Sequence, residues 1–244
     1  MNTEIRKSIF EDLYLTVREK EKRLYPDEVI FSLPLVKKSH PHFKEWTIRT
    51  LSFNKLKDYL QKKNRPLQIL DLGCGNGWMS NKLSEINDSV VTGADLNSFE
   101  TAQAKRIFQN NKRVTFLSGD LYKNNLLQKN QFDIIVLAAS IQYFPDLKVL
   151  IGQLTKWLRH GGEIHILDSP FYTEKNISLA KEASLNYYKA LACIRMADFY
   201  HHHQWSELSR LQFKIMNRAW NDKILLKIFK TNKNYFPWIV IHKL

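Results

Sequence analysis

The sequence predicts an α/β fold: a seven-stranded, mostly parallel sheet with helices on both faces, preceded by an N-terminal helical cap. Three observations predict it. From residue 66 onward, short apolar runs alternate with segments of helical periodicity, the pattern of parallel strands joined by crossover helices. A glycine cluster, Gly73, Gly75 and Gly77, stands where the first apolar run gives way to a helical one. Acidic or small residues close successive strands, where an open parallel sheet binds its ligands.

The elements follow in order. Residues 3–23 read as a charged amphipathic helix, with Ile5, Ile9, Leu13 and Val17 at helical spacing. Residues 29–34, VIFSLP, read as a short extended piece stopped by Pro34, and Pro41 opens a second helix over 42–63. Residues 1–65 are therefore expected to form the cap and residues 66–244 the sheet domain. LQILDLG is a strand and WMSNKLSEI a helix; SVVTGAD is a strand and NSFETAQAKRIFQN a helix that Asn97 caps. RVTFLSGD is a strand, and FDIIVLAAS, apolar at nearly every position, is a strand buried on both faces. DLKVLIGQLTKWLRHGG reads as a helix ended by Gly161 and Gly162, EIHILD as a strand, and 174–196 as a helix. Strands at 212–217 and 237–243, with a short helix between them, complete the count of seven. Asp71, Asp95, Gly119–Asp120, Ala139–Ser140 and Asp168–Ser169 all close predicted strands, so they converge on one rim.

Three ligands compete for the glycine loop. A P-loop needs a lysine followed by Ser or Thr, and this loop has no lysine. A dinucleotide fingerprint needs a third glycine where Trp78 stands, and an indole there obstructs the close approach of helix and strand. What remains is D-x-G-x-G-x-G, with Asp71 ahead of the glycines. An acid there repels a pyrophosphate and suits a ligand carrying an ammonium group.

ILDLGCGNGW resembles motif I of class I S-adenosylmethionine-dependent methyltransferases. The resemblance continues in order through VVTGADLN, VTFLSGDL, FDIIVLAASIQYFPDL and LRHGGEIHILD, covers residues 66–170, and is greatest to the methyltransferase-11-like group. It implies a Rossmann-like fold, S-adenosylmethionine as cofactor with S-adenosylhomocysteine as product, and methyl transfer to a small-molecule acceptor. Carried onto this chain, it implies that Gly73, Gly75, Asn76 and Gly77 cradle the methionine part and ribose, with Asp71 near the amino group. Asp95 would accept the ribose hydroxyls, Leu96 pack on the adenine, and Asp120 and Leu121 bind its edge. Ala139 and Ser140 would line the side facing the sulfonium methyl.

Methyl transfer from a sulfonium is an in-line displacement that needs alignment and exclusion of water, and a general base only if the nucleophile is protonated. The catalytic candidates are Tyr143 and His202. The triplet His201–His203 is expected to line the acceptor pocket, and His165, inside a strand, to be structural. In the cap, Tyr14 and Arg18, with Arg49 three residues from Trp46, offer cations and rings that suit an anionic or planar acceptor. The two cysteines, Cys74 and Cys193, have no disulfide framework or metal spacing, so no metal is expected. No uncharged apolar run is long enough for a membrane span, the charged N-terminus does not read as a secretory signal, and a reduced, cytoplasmic protein is expected, as a monomer or homodimer. The net charge of +13 is spread along the chain without a basic tract, so nucleic acid is not the expected partner. Two alternatives stand beside the small-molecule enzyme: an RNA or protein methyltransferase, supported only by the charge, and a cofactor-binding module without transfer activity.

Overall fold

The computed structural model describes residues 3–120, 127–216 and 236–243. Strands β1 (Gln68–Leu72), β2 (Val90–Asp95), β3 (Val114–Ser118), β4 (Phe132–Ala138), β5 (Leu158–Leu167), β6 (Phe213–Ile215) and β7 (Ile239–His242) form one sheet in the order β3-β2-β1-β4-β5-β7-β6. The first five run parallel, and β7 lies antiparallel between β5 and β6. The Rossmann-like, mostly parallel sheet is as the sequence predicts. The switch point lies between β1 and β4, where the connections leave in opposite directions and a crevice opens at the strand ends.

Alternation along the strands divides the core. Ile69, Ile134 and Val136 face a layer made by α3 (Phe43–Gln61), α4 (Trp78–Ser84) and α5 (Ser98–Ile107). Leu70, Ile135 and Leu137 face the opposite layer, where α6 (Leu147–Trp157) packs. Neighbouring side chains point to opposite faces of a pleated strand, which is why β4 must be apolar throughout. Helix α3 contributes Trp46, Phe53, Leu56 and Leu60 to the first layer, so this part of the N-terminal region packs directly on the sheet. Helix α1 (Thr3–Lys20) instead joins α7 (Ile177–Ala190) and the 3-10 turn Ile194–Phe199 in a separate apolar cluster of Tyr14, Val17, Tyr188 and Met196.

Three expectations are corrected. Residues 29–34 are not extended: Asp27–Ser32 forms α2. Asp27 and Glu28 occupy its first turn, Arg106 and Gln103 hold the Asp27 carboxylate from α5, and Ile30 is fully buried. Six residues are too few to show periodicity, and partners some 75 residues away stabilise the turn. Gly161 and Gly162 do not end α6, which stops at Trp157; they lie inside β5. Gly161 adopts φ +72°, and its N–H and the Gly162 carbonyl pair with Lys243, so the sheet captures a segment that local propensity assigns to a helix end. The helix expected over 174–196 ends at Ala190 and is followed by the 3-10 turn. The helix expected between the last two strands lies outside the described residues. His165 is buried, with Nδ1 accepting from the Trp238 indole and Nε2 at 3.2 Å from Glu163, a placement that ties β5 to the segment entering β7.

Candidate functional site

The glycine loop joins β1 to α4. Gly73, Gly75 and Gly77 have φ of +78°, +51° and +77°, a region that costs an L side chain about 1–2 kcal/mol. The N–H groups of Gly73 and Cys74 both donate to the Ala94 carbonyl at 2.8 and 3.2 Å, pinning the loop to the end of β2. A Cβ on Gly73 would stand 2.4 Å from Cβ of Ser140, so the loop passes flush against the residue that closes β4. Gly77 does different work from that expected of it. It does not line the cavity; a Cβ there would meet Phe116 at 2.6 Å and Ala104 at 2.8 Å, so its bareness lets the loop pack on α5 and β3. Trp78 turns inward against Trp46 and Phe53, with ring centroids 5.5 and 5.8 Å away.

Around this loop stand four acids. Asp71 is buried and accepts from the Ser80 hydroxyl at 2.6 Å; burial, with the Asp95 carboxylate nearby, pushes its pKa up to about 7. Asp95 takes the Gly75 N–H on one oxygen and the Asn97 N–H on the other, both at 2.8 Å, and burial raises its pKa against those bonds. Glu100, in α5, is buried with its Oε2 lacking a hydrogen-bond partner among the described residues, and burial raises its pKa while Arg18 lowers it. Asp120 closes the far side of the same cavity.

The cavity measures about 490 Å³ and opens on the carboxyl ends of β1, β2 and β4. Asp71, Gly73, Gly75, Asn76, Asp95 and Leu96 line it, and so do Asp120, Ala139 and Ser140. The Ser140 hydroxyl donates to the Leu72 carbonyl at 2.8 Å, holding the ends of β1 and β4 together beneath it. Its roof comes from α1, through Phe10, Tyr14 and Arg18, and from α3, through Trp46 and Arg49. Tyr143 lines it too, edge-on to Phe10 and Tyr14, with its phenol pKa raised by burial. Leu121 lies outside the described residues.

Two expected groups stand elsewhere. None of His201, His202 and His203 lines the cavity. His202 pairs with Ser184 at 2.9 Å, His203 is buried against the Ile141 carbonyl at 3.1 Å, and the His201 N–H donates to the Gln142 carbonyl at 2.7 Å. Consecutive residues of an irregular segment point in different directions, and here each is held by structure around the cavity. Asp168 and Ser169 follow the end of β5 but do not line the cavity: Asp168 accepts from Ser52 at 2.6 Å, and the buried Ser169 donates to Gln142 at 3.3 Å. Sequence reasoning passed over Glu100. Its N–H is capped by Asn97, a local role that hides the cavity-facing carboxylate on the same residue.

Residues 69–162 match a family described as a methyltransferase domain. Over these residues the chain carries a methyltransferase domain. It is 28% identical over 103 residues to malonyl-(acyl-carrier protein) O-methyltransferase of Halalkalibacterium halodurans, covering 41% of this chain and 38% of that one. The chain thus spans well under half the length of that curated relative. Among solved structures, it superposes on magnesium protoporphyrin IX methyltransferase of Synechocystis with bound S-adenosylhomocysteine at a TM-score of 0.59 and 15% identity, over 100% of both chains. Geranyl diphosphate C-methyltransferase of Streptomyces coelicolor gives a TM-score of 0.56 at 14% identity, over 87% of this chain and 89% of that one. At these identities the likeness is one of fold.

S-adenosylmethionine is the cofactor of this domain class, and the residues present fit it. Three buried acids with raised pKa values surround a loop that has no lysine, so the cavity favours a ligand bearing positive charge and disfavours a pyrophosphate. The unpartnered Glu100 oxygen leaves polar capacity in the cavity, and the backbone of Gly73 and Gly75 lines it. No helix among the described residues is long and apolar enough to cross a membrane.

Proposed function

We propose that the protein transfers a methyl group from S-adenosylmethionine to a small-molecule acceptor bound under the N-terminal helices. The observation that carries this reading is the convergence of Asp71, Asp95 and Glu100 with a lysine-free glycine loop in one cavity. Asp95 accepts the two ribose hydroxyls. Each carboxylate oxygen has a second lone pair beyond the one given to Gly75 or Asn97, so one side chain ties the loop and the cofactor together. Asp71 faces the amino group, Leu96 and Asp120 the adenine, and Ala139 and Ser140 the reacting methyl.

S-adenosylmethionine supplies a methyl group activated on a sulfonium, whose carbon–sulfur bond breaks as the bond to the acceptor forms, the sulfur keeping the electron pair. The protein's part is to align the partners and keep water out, which the aromatic roof of Phe10, Tyr14 and Trp46 serves. Tyr143 keeps its proton at neutral pH, because burial raises its pKa, so it orients an acceptor by donating and does not act as a base. With its ring packed on neighbouring aromatic residues, His202 has a place outside the reacting centre.

Calorimetric titration tests the reading. S-adenosylhomocysteine binds one site per chain, while NAD and ATP give no comparable heat or thermal shift. A thermal shift with NAD equal to that with S-adenosylhomocysteine overturns it.

A further inference from the structure

A second chamber of about 370 Å³ adjoins the cofactor cavity, with walls from α1, α3 and α7. The two share Tyr14, Arg18, Arg23, Arg49, Ala139 and Tyr143. Ala139 directly follows the end of β4, so the chambers meet at the rim where the sheet presents its ligands. The second chamber is small for a ligand pocket and richly polar, with the tyrosines Tyr188 and Tyr200 opposite Arg18 and Arg49.

Among its lining residues three guanidiniums, Arg18, Arg23 and Arg49, stand with two carboxylates, Glu21 and Glu45; just beyond the lining, buried Glu100 acts on Arg18 and Arg49, and buried Asp168 acts on Arg49. Arg23 gives both terminal nitrogens to the two oxygens of Glu45, while its buried Nε has an ion-pair contact with Glu21 at 3.0 Å and no hydrogen bond. Arg49 gives only its Nε to Glu45, at 3.1 Å, and its two terminal nitrogens have no hydrogen-bond partner among the described residues. Arg18 gives its Nε to the Tyr14 hydroxyl at 2.9 Å, while a terminal nitrogen has only a 3.8 Å ion pair with Glu21. Both side chains are mostly buried, 24% and 20% exposed, so their unspent donors face the chambers and not bulk water. Glu100 acts on Arg18 from the cofactor side, but it is the group left free to meet a cationic cofactor. Two such guanidinium edges match a planar carboxylate, which accepts paired N–H groups.

We propose that this second chamber holds the methyl acceptor, and that the acceptor is a small carboxylate whose charge is bound by Arg18 and Arg49 while its body packs on Tyr143, Tyr188 and Tyr200. This rests on the methyltransferase reading above.

The test uses the full chain saturated with S-adenosylhomocysteine and two probes of equal shape, para-hydroxybenzoate and para-hydroxybenzamide, followed by calorimetry and ligand-observed NMR. The acid binds saturably, and the amide binds at least about tenfold more weakly. Arg49→Gln reduces that preference below about threefold. Ala183→Trp, at an exposed position where α7 borders the chamber, excludes both probes while both arginines stay in place and S-adenosylhomocysteine still binds. Equal binding of acid and amide overturns the proposal, as does a preference that survives Arg49→Gln, or an absence of probe binding to a chain that binds S-adenosylhomocysteine. Failure of S-adenosylhomocysteine itself to bind overturns the cofactor reading instead.

Discussion

Replacing Asp95 with alanine separates its two duties. In the structure its oxygens each receive one backbone N–H at 2.8 Å, from Gly75 in the glycine loop and from Asn97 at the start of α5. Hydrogen bonds to a charged acceptor contribute about 1.5–3 kcal/mol each, but burial that raises the Asp95 pKa offsets part of this, because removing the charge also removes its desolvation cost. The net loss of fold stability for Asp95→Ala is therefore about 1–3 kcal/mol, short of the sum of two bonds. Loss of the acceptor for two ribose hydroxyls, together with a loosened loop, costs binding about 2–4 kcal/mol, a roughly 30- to 700-fold rise in Kd. Denaturant titration of the ligand-free protein measures the first quantity and calorimetry with S-adenosylhomocysteine the second. A folded Asp95→Ala protein whose Kd stays within about threefold of the parent would refute the placement of the ribose on this carboxylate.

Asp71 makes cofactor binding depend on pH. With its folded pKa at about 7, above the ordinary carboxylate range, its contribution to ligand-free stability is full below about pH 4 and is lost as pH rises through 7. An ammonium group beside it favours the ionised form, so binding S-adenosylhomocysteine releases close to one proton at about pH 6 and none at about pH 9. Buffers of differing ionisation heat reveal this in calorimetry, and Asp71→Asn abolishes it; identical proton release in Asp71→Asn and parent would exclude Asp71. Gly77→Ala combines a left-handed backbone with a Cβ 2.6 Å from Phe116, and should cost about 2–5 kcal/mol by chemical denaturation. Gly161→Ala, at φ +72° with open space around it, should cost only about 1–2 kcal/mol. Removing residues 1–23 should leave a folded protein with an unroofed cavity and weaker S-adenosylhomocysteine binding. Removing residues 1–38 also takes Tyr25, Ile30 and Leu33 from the main core and should yield insoluble protein; a soluble, binding-competent product would show that α2 is dispensable.

The sequence by itself determined the parallel sheet, the glycine loop and the acids at the ends of β1 and β2. These rest on short-range physics. Burial on both faces forces β4 to be apolar throughout, tight turning requires the glycines after Asp71, and the Asn97 cap acts on an N–H three residues away. Tertiary structure alone decided the rest. It made α2 a helix by burying Ile30 in the core, with Gln103 and Arg106 of α5 meeting Asp27 at its start, and drew Gly161 and Gly162 into β5 by pairing with Lys243. It turned the three histidines away from the cavity, each to a different partner, and brought Arg18 of α1, Arg49 of α3 and Ala139, just past β4, to one shared wall. Glu100 is the sharpest case: next to Asn97 its backbone completes a helix start, while only the packing of α5 beneath the loop exposes its unpartnered carboxylate oxygen to the cavity. Local dihedral preference and periodicity reach a few residues along the chain, whereas burial and pairing with groups up to a hundred residues away are set when the layers close on the sheet.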